Sequence, residues 1–339
     1  MNGPDVNAYR EGWKMTQLTR RHFTIGASAI ALAPTAPPAL AHTYPSQDLH
    51  LICAFPPGSG ADVIVRFFGE KLRGLTNRTV IVDNRPGASG SIATEAIARA
   101  RPDGYTIMIH GGTALSANMH LFKKPTVDVA KALQIAATLN RQPTMLVVST
   151  QSPWKTAAEL AAAMQKKGDK ASYATSNTVG KVMGATYKKQ AKLEAIEISY
   201  KLTSESYNDL QSGALDFAFQ DNISAIAMAN QGKMRILGVS TAARLQAAPE
   251  YPTMSEQGYP MDMVGWWAAI VPMATPRPIV DQINAWIGEI VSSKDGKAFL
   301  KNIASDPWLS SPDEGQAFFR AQIDQWGVWV REANIEQLG

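Results

Sequence analysis

From residue 49 onward the chain alternates short apolar runs with amphipathic segments, joined by turns. That order constrains the fold more than any other feature. Leu49–Phe55 is too short for a buried helix and reads as a strand, whereas Asp62–Gly74 carries apolar residues at helical spacing. The unit recurs as strand Thr79–Asn84, the turn RPGASG, helix Ser91–Arg101, the turn Pro102-Asp103-Gly104 and strand Tyr105–His110. Strand–turn–helix units in series imply an α/β fold, with mostly parallel sheets and helices on both faces.

Two apolar runs, LQIAATL and TMLVVST, lie within Leu133–Thr150. A helix follows, with a capping box at Thr156-x-x-Glu159, Gly168 at its end, and Leu160, Ala163 and Met164 on one face. A second α/β set runs through strand Ala171–Thr175, helix Gly180–Lys189, strand Ala195–Ser199, helix Ser206–Ser212, strand Asp216–Phe219, helix Ser224–Gln231 and strand Met234–Val239. Tyr251–Pro260 is irregular and Gly265–Met273 reads as a further strand. Two helices close the chain. One starts at Thr275-Pro276 and lines up Ile279, Ile283, Ile287 and Ile290. The other starts at Ser311-Pro312-Asp313-Glu314, a capping box with proline at the first helical position. Its Phe319, Ile323, Trp326 and Val330 form a core stripe rather than a cofactor box. A length of 339 residues exceeds one ordinary core and fits two domains.

Residues 1–41 read as a cleaved export signal. Arg20 and Arg21 precede the mildly apolar Ile25–Ala33, and small residues end at Ala39–Ala41. The order Thr19-Arg20-Arg21-His22-Phe23 resembles a twin-arginine signal; an ordinary signal with two adjacent arginines is the alternative, and both imply export. Met15 would give a leader of conventional length. Four of the 33 basic and two of the 29 acidic residues lie before residue 42, so the rest is nearly neutral. No basic stripe accompanies the charge, and no nucleic-acid partner is expected. The single cysteine, Cys53, sits in the first strand and reads as a buried small hydrophobe. No run approaches the ~18 apolar residues of a membrane span.

The turn AFPPGSGAD (Ala54–Asp62) joins a strand to a helix, a place that suits an anion. It is no phosphate loop, because no lysine follows Gly60, and no dinucleotide turn, because Val63 stands where a third glycine belongs. The donors are the N–H groups of Gly58, Ser59, Gly60 and Ala61, a cup for one small anion such as a carboxylate. Asp62 either caps these donors itself or leaves them to a ligand, and the motif alone does not decide. ATSNTVGKVMG (Ala174–Gly184) is a second such turn, in which Ser176, Asn177 and Thr178 add hydroxyl and amide groups. Gly180 and Gly184, four apart, allow a close backbone approach. Open parallel sheets bind ligands at the carboxyl ends of their strands, where both turns fall.

Catalytic constellations are scarce. His42, His50, His110 and His120 lack metal spacing, no Gly-x-Ser-x-Gly elbow or CxxC occurs, and no cofactor or metal is expected. His110 ends a strand just before Gly111-Gly112-Thr113, which leaves two readings, a residue lining the cleft and a surface histidine, the second preferred.

Three stretches then resemble a known family. YPSQDLHLICAFPPGSGADVIVRFFGEKL, VIVDNRPGASGSIATEAIARARPDGYTIMI and GVSTAARLQAAPEYPTMSEQGYP are similar to the Bug-type receptors of tripartite tricarboxylate transporters, from about Tyr44 to the C-terminus. The resemblance implies a two-domain periplasmic binding protein (type II, flytrap) with a ligand between domain one, 44–146 plus 268–339, and domain two, 147–267. By carry-over, Phe55, Pro57, Gly58, Ser59, Ala61 and Asp62 form the first loop, Thr113 a small hydroxyl after the third strand, and Ser176, Asn177, Thr178 and Val179 the polar turn. Gln220 and Asp221 match a segment where the family often has an aspartate facing the ligand. The chain departs from the family at Val182-Met183-Gly184 and at Leu202-Thr203-Ser204-Glu205. Glu205 is read either as a negative charge near the cleft, which would suit a ligand with one carboxylate and a neutral or cationic far end, or, slightly preferred, as a solvated charge at a helix start.

The expectation is a periplasmic, monomeric, non-enzymatic receptor that captures a small organic carboxylate and delivers it to membrane permease subunits. Phe55, Met183 and Trp266 or Trp267 would surround the ligand's body. The competing readings are an exported cofactor-dependent enzyme and a ligand sensor for a membrane signalling partner.

Overall fold

The computed structural model describes residues 44–176, 178–200 and 203–338, the side chain of Thr178 excepted. The export signal, Asn177 and Leu202 therefore lie outside the described residues. The order begins β1 (Leu49–Cys53), α1 (Gly60–Thr76), β2 (Val80–Asn84), α2 (Ser91–Ala98), β3 (Thr106–Gly111), α3 (Gly112–Leu121), α4 (Val129–Ala132) and β4 (Leu133–Gln142). It continues with β5 (Thr144–Ser149), α5 (Ala157–Lys167), β6 (Ser172–Thr175), α6 (Thr178–Gln190), β7 (Ile196–Ser199), α7 (Ser206–Ser212), β8 (Phe217–Asp221), α8 (Asn222–Asn230) and β9 (Met234–Val239). It ends with β10 (Gly265–Pro272), α9 (Arg277–Ser292), α10 (Lys294–Asn302), β11 (Asp306–Pro307) and α11 (Pro312–Glu332).

The strands form two sheets, in the orders β11-β4-β10-β3-β1-β2 and β7-β6-β8-β5-β9. The fold is α/β, but the sheets are mixed rather than mostly parallel. β2, β1 and β3 run parallel, as do β7, β6 and β8. β10 is antiparallel to β3 and β4, and β5 is antiparallel to β8 and β9. The antiparallel strands are those that carry the chain between sheets: β4 leads through Pro143 alone into β5, and β10 leads back. Hydrophobic pattern reports which faces are buried and is silent on strand direction.

The first sheet buries Leu49, Leu51 and Cys53 against Ile64, Val65, Phe68 and Leu72 of α1 and Ile283, Ile287 and Ile290 of α9. Cys53 is buried and free, as expected. Full burial of each such aliphatic side chain contributes roughly 1.5–3 kcal/mol. α6 lies close on the second sheet: a Cβ on Gly184 would stand 2.6 Å from the Tyr173 ring. α11 begins with the expected capping box at Ser311 and Glu314. Its Phe319 packs with the first sheet's core, while Trp326 and Val330 join the core of α5 and α6; Ile323 is only half-buried.

Three local details differ from the sequence reading. The closing helices number three, because Ser293 ends α9 and caps α10 through the Gly296 N–H. α3 was not foreseen, since its buried positions are mostly small, Gly112, Thr113, Ser116 and Ala117, with little apolar contrast. At α5, Thr156 accepts from the Glu159 N–H, but Glu159 reaches the N–H of Lys155, one residue before the cap.

Side chains also tie the sheets together. Asn222, fully buried at the start of α8, donates to the Ile303 carbonyl and, at 3.1 Å, to Ser305 Oγ. The Asp306 carboxylate accepts from the N–H groups of Gln246 (3.1 Å) and Ala247 (2.8 Å).

Candidate ligand-binding site

Asp62 is locked into its own turn. Its carboxylate is 2 % exposed and accepts from Gly58 N–H, Asn84 Nδ2 and Arg66 Nε, each at 2.8 Å. Burial alone would raise its pKa; the bonds from Arg66, Asn84 and Gly58 outweigh that and hold the carboxyl below its ordinary range. The helix cap itself is Ser59, whose Oγ accepts from Asp62 N–H at 3.2 Å and donates to the Pro56 carbonyl at 2.8 Å. Asp62 is thus a brace and not a group offered to a ligand.

With Gly58, Ser59 and Asp62 N–H groups engaged, those of Gly60 and Ala61 have no acceptor among the described residues. They stand at the start of a 17-residue helix, where the dipole favours an anion. Pro57 and Gly58 are exposed on the rim. Asn84, which the motif reading missed, also donates to the Phe55 carbonyl at 2.9 Å and so fixes the loop from the end of β2. Its place at the carboxyl end of a parallel strand was the available signal.

The second sheet contributes a polar cluster at the ends of β6 and β8. Ser176 Oγ lies 2.8 Å from Thr203 Oγ1, which donates to Asp221 Oδ2 at 3.4 Å. Asp221 Oδ1 caps α8 through the Ser224 N–H at 2.9 Å. Gln220 is buried and donates to Ser206 Oγ at 3.4 Å; its Oε1 has no partner among the described residues. Val179 packs half-buried against the core from α6, and Asn177 and the Thr178 side chain lie outside the described residues. Glu205 is exposed at the start of α7.

The two halves meet. A Cβ on Gly60 would stand 3.0 Å from Ile223 Cγ2, so the first turns of α1 and α8 are in contact. Phe55, Ala61 and Ile223 pack on the same core. Thr113 is buried, and its Oγ1 accepts from the Trp266 N–H at 3.3 Å. Met183 and Trp266 are fully buried core residues, which corrects the expectation that they surround a ligand. Trp267 is nearly buried, and Phe55 lies half-buried, its ring 6.3 Å from that of Trp267. His110 is not on the surface, because β3 carries it beneath Phe55, with ring centroids 5.4 Å apart.

Residues 64–335 match the family described as tripartite tricarboxylate transporter family receptor. The chain belongs to this receptor family. It is 29% identical over 316 residues to a UPF0065 protein of Bordetella bronchiseptica, covering 92% of this chain and 93% of the other. It is 27% identical over 324 residues to protein BugT of Bordetella pertussis, covering 94% and 99%. Among solved structures, R. palustris Rpa4515 with adipate superposes with a TM-score of 0.81 at 25% identity, covering 87% of this chain and 100% of the other. The periplasmic binding protein BugD gives a TM-score of 0.78 at 25% identity with the same coverage. The receptor family's fold is thus that of periplasmic binding proteins, as the family resemblance implied. Among the described residues no His, Cys, Asp and Glu cluster could hold a metal, and no helix is long and apolar enough to cross a membrane.

Proposed function

We propose that this receptor-family member is exported, by its twin-arginine-like signal, to the periplasm, where it captures a small organic carboxylate and delivers it to membrane permease subunits as a monomer without catalysis. The observation that carries the reading is the pair of N–H groups at Gly60 and Ala61, left over when Ser59 and Asp62 have satisfied their neighbours. A carboxylate accepts from both along the helix axis. Ser176, Thr203, Gln220 and Asp221 then supply the polar wall across from it, and Phe55, Ala61 and Ile223 the apolar one. The lobes are built on the two sheets, and this shifts the expected bounds of 44–146 plus 268–339 and 147–267 by a few residues, because β5 from Thr144 belongs wholly to the second sheet and β10 from Gly265 wholly to the first. Closing the lobes buries the acid and presents a new surface to the permease. The adipate held by the relative from R. palustris supports a carboxylate as the ligand class.

Gly60 offers a test that removes one donor and little else. Ser59 is extended, with φ −71° and ψ 160°, which suits a residue before proline, and position 60 is the first of the helix. Gly60→Ala and Gly60→Pro add the same Cβ against Ile223, but only the proline deletes the N–H. Loss of a hydrogen bond to a charged group is worth about 1.5–3 kcal/mol, so Gly60→Pro is expected to bind the acid roughly 10- to 100-fold more weakly than Gly60→Ala. Equal affinities would refute the assignment.

A further inference from the structure

His110 raises a question that packing does not answer. The side chain is 1% exposed, yet neither Nδ1 nor Nε2 has a partner among the described residues. A buried polar group normally finds a partner, and one left without costs about 1–3 kcal/mol. The ring is held by apolar faces, Phe55 at 5.4 Å and Trp267 at 6.1 Å between centroids, and burial alone lowers its pKa to about 4. It is therefore a neutral imidazole with one donor and one acceptor.

Its place in the fold bears on the ligand. It is the penultimate residue of β3, one strand from the Phe55 loop. Nε2 would lie 3.3 Å from a Cβ on Gly90, so it is the backbone of Gly90, with φ 89° and no side chain, that approaches this edge of the ring. Of the ring's neighbours, only Phe55 is half-exposed and belongs to the loop that ends in the free N–H groups of α1. Phe55 thus links the imidazole to the loop that leads to the free N–H groups of Gly60 and Ala61.

We infer that His110 is a specificity-determining residue that reads a hydroxyl group on the bound acid. This rests on the carboxylate-receptor reading. A hydroxyl both donates and accepts, so it satisfies either face of a neutral imidazole. A site built to hydrogen-bond a hydroxyl discriminates strongly against the analogue without it, because its own polar groups are then left unpaired.

The experiment is a calorimetric titration of paired acids differing by one hydroxyl: glycolate against acetate, lactate against propionate, malate against succinate. The proteins are wild type, His110→Phe, which keeps the ring's bulk, and His110→Gln, which keeps a donor and an acceptor. In wild type the hydroxy acid of at least one pair is expected to bind ten-fold or more tightly than its partner. That preference should vanish in His110→Phe and persist in part in His110→Gln. The imidazole nitrogen resonances of wild-type His110 should also shift when the hydroxy acid is added, a readout independent of the variants' folding. No preference in wild type, a preference unchanged in His110→Phe, or unmoved imidazole resonances would each overturn the inference. Binding without hydroxyl preference removes only the role of His110. No binding of any acid removes the receptor reading with it.

Discussion

Asp62 Oδ2 accepts from the N–H of Gly58, four residues earlier, at 2.8 Å, and so holds the turn before α1 closed on itself. The bond ties the glycine-rich loop to the first turn of α1 and leaves the N–H groups of Gly60 and Ala61 without an acceptor among the described residues.

Replacing Asp62 by Asn puts an amide where Gly58 N–H, Asn84 Nδ2 and Arg66 Nε all donate, and one of them then faces another donor. The Arg66 pair is solvent-exposed on the arginine side and adds little. Loss of the rest is expected to lower stability by about 1–3 kcal/mol in urea unfolding. The folded pKa lies below 3.8, so this stability is present above that pH and is lost as pH falls through the folded value. Asp62→Asn should show a smaller loss in that acid window; an unchanged acid limb would contradict the brace role.

His110 has the opposite chemistry and gives a separate pH signature. Its pKa falls from 6.5 to about 4 on folding, so the unfolded chain binds the extra proton. The neutral form's advantage is full above pH 6.5 and drains away toward pH 4, by about 3 kcal/mol at 1.36 kcal/mol per unit. The stability difference between His110→Phe and wild type should grow in favour of the variant as pH drops from 7 to about 4. A constant difference across that range would show that His110 is not buried as a neutral base.

Gly112 begins α3 with its Cα against Trp266. An added Cβ would stand 2.2 Å from the indole, which is fully buried and has no room to shift cheaply. Gly112→Ala is expected to destabilise by about 1–3 kcal/mol or more in thermal or urea unfolding, with altered tryptophan emission. Wild-type stability would mean that this helix start is looser than drawn.

Asn222 and Asp306 join the sheets at two points of one segment. Asn222 is buried, so Asn222→Ala strands the Ile303 carbonyl and Ser305 Oγ and is expected to lose about 1–3 kcal/mol. Asp306→Ala frees the N–H groups of Gln246 and Ala247 nearer to solvent, for about 1 kcal/mol. Urea unfolding of the two variants tests the order; a larger effect at Asp306 would reverse it.

Much of this was written in local pattern. The short apolar run of β1 followed by the helical spacing of α1, repeated in series, pointed to the α/β class, and Ser311 with Glu314 to the start of α11. The glycine-rich turn before α1 was legible because its two prolines lack an N–H and Gly58 supplies the left-handed φ the turn needs. What was not legible depended on distant partners. Asp62 is a brace only because Asn84 and Arg66 arrive beside it. Thr113 accepts from the Trp266 N–H, 153 positions away. His110 looks like a surface histidine beside two glycines until β10 and the Phe55 loop cover it.

The most direct measurement is calorimetric titration of the natively purified protein with a panel of small mono- and dicarboxylates. The expected result is a single site on one member of the panel with an affinity near micromolar, about −8 kcal/mol, weakened when the Gly60 N–H is removed by proline. No heat with any acid, and no organic acid released from the protein on denaturation, would contradict the receptor reading.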